Sequence, residues 1–78
     1  EYTLLIKLPQ NKFSEVSETI SNNVTAYKLI RSENNGNKIN AYFNISVNDE
    51  FNLQELINDL KNSDDDIEFN MVESGVNW

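Results

Sequence analysis

The chain contains no cysteine and no histidine. No disulfide framework can form, and the usual ligand sets for zinc, haem and iron–sulfur clusters are missing, so any metal would have to be held by oxygen alone. Basic residues are scarce as well: 6 Lys and Arg stand against 13 Asp and Glu, a net charge of −7. That charge repels phosphate backbones and anionic headgroups at long range, which argues against nucleic acid and membrane surfaces as partners. No apolar run approaches the roughly 18 residues that a bilayer span needs, and no charged start leads into an apolar stretch as in a signal peptide. The expectation is a soluble, cytoplasmic segment with no direct membrane insertion, no cofactor and no metal. The chain opens at Glu1 without an initiator Met, as expected of a piece of a longer protein or of a processed form.

With 78 residues there is room for one domain, 1–78, which on folding removes only about 60 percent of its unfolded surface from water. Asparagine is abundant, yet apolar periodicity runs through it, which marks a bias of composition and not disorder. Residues Tyr2 to Leu8 alternate, Leu4, Ile6 and Leu8 against Thr3, Leu5 and Lys7, as a strand ended by Pro9. From Phe13 the period lengthens: Phe13, Val16 and Ile20 share one helical face, Glu15 and Glu18 lie toward the positive end, Ser14 is the expected N-cap, and Asn22–Asn23 the stop.

Val24 to Ser32 reads as a second strand whose phase is ambiguous: Tyr27, Leu29 and Arg31 oppose Ala26, Lys28 and Ile30. Asn35–Gly36 then predicts a type I′ hairpin turn. In the third strand Ile39, Ala41, Phe43, Ile45 and Val47 face one way, and Asn40, Tyr42, Asn44 and Ser46 the other. The second helix is expected to start at an Asn52 cap, with Glu55 completing a capping box and Phe51 stapled to Leu56. Its stripe of Leu53, Leu56, Ile57 and Leu60 needs a sheet to cover. In the last strand Ile67, Phe69 and Met71 oppose Glu68, Asn70 and Val72, while residues 73–78 have no clear period.

Strand, helix, strand, strand, helix, strand with right-handed crossovers predicts an α+β, ferredoxin-like βαββαβ two-layer sandwich: a four-stranded antiparallel sheet with two helices on one face and strands one and three central. The expected core is Leu4, Ile6, Leu8, Phe13, Val16, Ile20, Ile39, Ala41, Phe43, Ile45, Leu53, Leu56, Ile57, Leu60, Ile67, Phe69 and Met71. Burial of such side chains is worth about 1.5–3 kcal/mol each, enough to offset ordering entropy by a small margin.

That arrangement leaves one sheet face open, carrying Leu5, Lys7, Tyr42, Asn44 and Val72 as a candidate docking or dimerisation face. Strand two, at the sheet edge, is the second candidate surface. Other readings carry less. Asp64–Asp65–Asp66 lacks the ligand spacing of a calcium loop and reads as a solvated turn. Tyr42 in Lys38–Ile45 is too little for an RNA-recognition strand. The sequons Asn23–Val24–Thr25 and Asn44–Ile45–Ser46 are expected by chance in a chain of this composition. An acylphosphatase-type hydrolase needs an arginine in the loop after the first strand; Pro9 to Lys12 has none, and Arg31 is the sole arginine. No nucleophile–base pair is evident, so catalysis is not expected.

The run Glu1–Tyr2–Thr3–Leu4–Leu5–Ile6–Lys7–Leu8–Pro9, the Phe51-to-Leu60 helix and the closing Val76–Asn77–Trp78 resemble ACT-like regulatory domains. More specifically, they look like the soluble C-terminal domains of bacterial polytopic membrane proteins, of the MgtC type or the polyphosphate-polymerase-associated type. The resemblance implies a regulatory appendage of a larger protein, partnered with itself as a homodimer or with other parts of its parent chain. Where amino-acid-binding ACT domains carry an Asp and a Gly after the first strand, Gln10, Asn11 and Lys12 stand here, so no ligand residue carries across. A metabolite held between helix 1 and strand two of paired domains is the alternative, with Asn11, Lys12 and Lys28 as its polar contacts.

Overall fold

A computed structural model describes residues 1–63 and 66–73 of the chain. Four strands and two helices follow in the expected order: β1 (Tyr2–Pro9), α1 (Phe13–Asn23), β2 (Ala26–Asn35), β3 (Lys38–Ser46), α2 (Glu50–Ser63) and β4 (Glu68–Glu73). The sheet is antiparallel in the order β2-β3-β1-β4. This is the ferredoxin-like α+β sandwich, with β1 and β3 central.

Alternation in the central strands decides which face meets the helices. Leu4, Ile6 and Leu8 of β1 and Ala41, Phe43 and Ile45 of β3 are fully buried, together with Val16 and Ile20 of α1 and Leu56 and Leu60 of α2. All ten belong to one apolar cluster, which puts both helices on the same side of the sheet. Phe13, Ile39, Ile67, Phe69 and Met71 pack around it half-buried, as do Tyr2 and Val24. Leu53 and Ile57 are half-buried on the flank of α2. Phe43 is the hub: its ring stacks on Phe13 at 6.4 Å and meets Tyr27 at 6.2 Å. The helices are also tied by a polar contact, Asn23 Nδ2 donating to Asp59 Oδ2 at 2.9 Å.

Local signals at the element ends are revised. Ser14 does not cap α1; a 3-10 turn at Gln10–Lys12 leads into it, the Phe13 N–H bonding the Gln10 carbonyl, so backbone replaces a side-chain cap. The N-cap of α2 is Asp49, not Asn52: Asp49 Oδ1 accepts the Asn52 N–H at 3.0 Å, and its carbonyl accepts the Leu53 N–H. Starting there, the helix turns Phe51 outward, 71% exposed, and no staple with Leu56 forms. A carboxylate three residues before Asn52 is the stronger acceptor for an orphan N–H at the positive helix end.

The hairpin turn is also shifted by one residue. Asn35 pairs with Lys38, leaving Gly36 and Asn37 as the two loop residues. Gly36 alone has a positive φ, +69°, among the described residues, the pattern of a type II′ turn with glycine first. A tertiary contact favours this register. Gln10, just past the end of β1, donates its N–H to the Asn37 carbonyl at 3.0 Å and its side-chain amide to the Gly36 carbonyl at 3.2 Å.

Candidate docking surface

The register across the sheet fixes what the helix-free face presents. One row reads Arg31, Tyr42, Leu5, Asn70 from β2 to β4; the rows beside it read Lys28, Asn44, Thr3, Val72 and Glu33, Asn40, Lys7, Glu68. All five residues expected on the open face, Leu5, Lys7, Tyr42, Asn44 and Val72, are there. Leu5 lies directly across from Tyr42, whose ring carries the Arg31 guanidinium 5.8 Å from its centre. Val72 stands across from Thr3 on the far side of β1, so roughly 10 Å of strand spacing separates it from Tyr42. Leu5 itself lies diagonally from Val72 on the adjacent strand, so the three apolar side chains form a narrow diagonal, set among amides and charges. A shallow hollow of about 240 Å³ opens there, lined by Leu5, Lys7, Asn40, Tyr42, Glu68 and Asn70.

The edge strand β2 is different. Every residue in it is exposed except the half-buried Glu33. A β-bulge at Ile30 settles the phase that periodicity leaves open. Before it, Tyr27 and Leu29 face Ile45 and Phe43 on the helix side; after it, Arg31 faces Tyr42 on the open side and Ser32 faces Ala41. Neither alternating set is buried as a whole: the bulge splits both. Tyr27, Leu29 and Ile30 remain 45%, 41% and 52% exposed, three of the five large apolar side chains exposed among the described residues. They sit along a sheet edge whose outer side pairs with no strand among the described residues. The sequence signal for the bulge is the pair Leu29–Ile30, two apolar residues in succession where alternation asks for one.

The three residues expected around a metabolite do not meet within one chain. Asn11 and Lys12 line a polar hollow of about 400 Å³ with Pro9, Gln10, Asn37 and Asp66, past the end of β1. Lys28 borders another, near the start of β1, with Asn44 and Tyr27. Among the described residues no three carboxylates gather where a metal ion could sit; of Asp64–Asp65–Asp66, the first two lie outside the described residues, as does the Val76–Asn77–Trp78 end. Among the described residues, no helix is long and apolar enough to cross a membrane. No protein-family model matches the sequence, and no curated protein matches it either.

Proposed function

We propose that this chain is a non-catalytic regulatory or protein-interaction domain, an appendage of a larger protein, which docks by strand addition along the outer edge of β2. The observation that carries the reading is the concentration of exposed Tyr27, Leu29 and Ile30 on an edge that no strand among the described residues pairs. Added strands gain main-chain hydrogen bonds, and side chains beside the edge supply the apolar contact and the selectivity. The open face sets its amides and charges around a narrow Tyr42–Leu5–Val72 diagonal, of which only Val72 is among the large apolar side chains that stand exposed.

Hydrogen–deuterium exchange of the β2 amides in the intact protein tests this. Docking at the edge slows exchange at the β2 amides that point away from β3, Ile30→Glu restores fast exchange there, and Tyr42→Glu leaves the protection in place. Fast exchange in the wild type at the β2 amides that point away from β3 would sink the reading. Protection lost only with Tyr42→Glu would move the docking surface to the open face.

A further inference from the structure

The bulge at Ile30 constrains what strand can pair with β2. Facing residues in an antiparallel ladder point to the same side of the sheet, and a straight partner alternates without interruption. β2 reverses its phase in the middle: Ala26 and Lys28 lie on the open side before the bulge, and Arg31, Glu33 and Asn35 after it. A straight strand matches both halves of β2 only by leaving Ile30 without an opposite residue, as β3 does on the inner edge. A strand with the same reversal at the same place, arranged about a two-fold axis, matches both halves residue for residue with Ile30 included, and a second copy of this chain supplies one.

Charge then selects the register. Shifting the copies so that Lys28 meets Arg31 of the other sets like charges opposite each other on both sides of the axis. Shifting the other way sets Arg31, an open-side residue, against Ser32, a helix-side residue. Between them lies the register in which Ala26 meets Asn35 of the second copy, which uses the whole of β2 from end to end. There Lys28 faces Glu33, Leu29 faces Ser32 and Tyr27 faces Asn34, each pair on one side of the sheet. The two bulges meet in the middle, Ile30 of each copy beside Arg31 of the other. Lys28 makes no ion pair among the described residues. Glu33, engaged on one oxygen by Arg31, keeps acceptor capacity on its other. β2 also holds two of the 6 basic residues of a chain whose net charge is −7, against a single Glu33. The opposite edge strand β4 carries Glu68 and Glu73 and no base, so of the two sheet edges β2 repels a second acidic molecule less.

We propose that β2 pairs with β2 of a second copy about a two-fold axis, in the register that sets Lys28 of each against Glu33 of the other, joining the two sheets into one. The proposal rests on the reading of β2 as the docking edge and names the occupant and the register. It predicts charge complementation. Lys28→Glu places glutamate against Glu33 at both symmetric positions, and Glu33→Lys places lysine against Lys28, so each variant alone dimerises about tenfold more weakly. Mixed in equal amounts, Lys28→Glu and Glu33→Lys restore opposite charges at both positions and recover the wild-type association.

Light scattering over a range of concentrations reads the mass, expected to reach twice the 9.0 kDa of one chain, and circular dichroism checks that each variant is folded. Wild-type affinity in both single variants overturns the register, as does a mixture of folded variants no tighter than either alone. A wild type that stays monomeric at millimolar concentration overturns the second copy as occupant. In each case the exchange behaviour of β2 in the intact protein, with Ile30→Glu, decides the docking edge by itself.

Discussion

Gly36 is where a single residue most clearly carries the local geometry. Its φ of +69° lies in the region that L side chains rarely adopt, and an added Cβ would meet nothing within 4 Å, so any penalty for substitution is conformational and not steric. Gly36→Val is expected to cost about 1–2 kcal/mol, and Gly36→Asn less, because Asn tolerates that region better. Urea denaturation midpoints of the two variants check the order; equal, negligible losses would show that the hairpin does not need this conformation. At the same scale, sequence placed the turn within one residue but assigned the wrong pair of central positions. Asn35–Gly36 is a strong local signal, yet the Gln10 backbone and side chain hold the Gly36 and Asn37 carbonyls, and no propensity of the turn itself contains that contact.

At the scale of elements, the long periodic segments were legible and their ends were not. Among the described residues, all ten fully buried side chains come from the alternation in β1 and β3 and the stripes of the two helices, because burial on one face leaves the same imprint on sequence wherever the element sits. The caps follow finer competition. Both Asp49 and Asn52 are good capping residues, and the helix begins at the one whose carboxylate reaches an orphan N–H. Asp49→Ala is therefore expected to lower stability by about 1 kcal/mol and Asn52→Ala by clearly less, as read from thermal unfolding. The reverse order would return the cap to Asn52. β2 shows the limit from the other side. Its phase has no single answer in the sequence because the bulge gives it two, and only its pairing with β3 reveals where one ends.

For the molecule as a whole, two layers and one core carry the stability, and net charge works against it. With −7 on 78 residues, the compact state repels itself more than the unfolded chain does. Raising ionic strength from about 0.01 M to 0.1 M shortens the screening length from about 30 Å to 10 Å. The melting temperature of the chain, followed at low protein concentration, should rise by a few degrees across that range. A fall would mean that attractive pairs such as Lys12–Glu15 and Arg31–Glu33 outweigh the general repulsion.

The sequence by itself determined the order of the elements, the side of each central strand that is buried, the sandwich they build and the absence of thiol and imidazole chemistry. These follow from period, composition and connection rules that act along the chain. Tertiary structure alone decided the phase of β2 and the turn register. Each depends on a partner distant in sequence: Phe43 and Tyr42 against β2, and Gln10 against the hairpin. A local pattern can state which side chains want burial, but which strand lies beside which, and how far a bulge slips it, is settled only when the sheet closes.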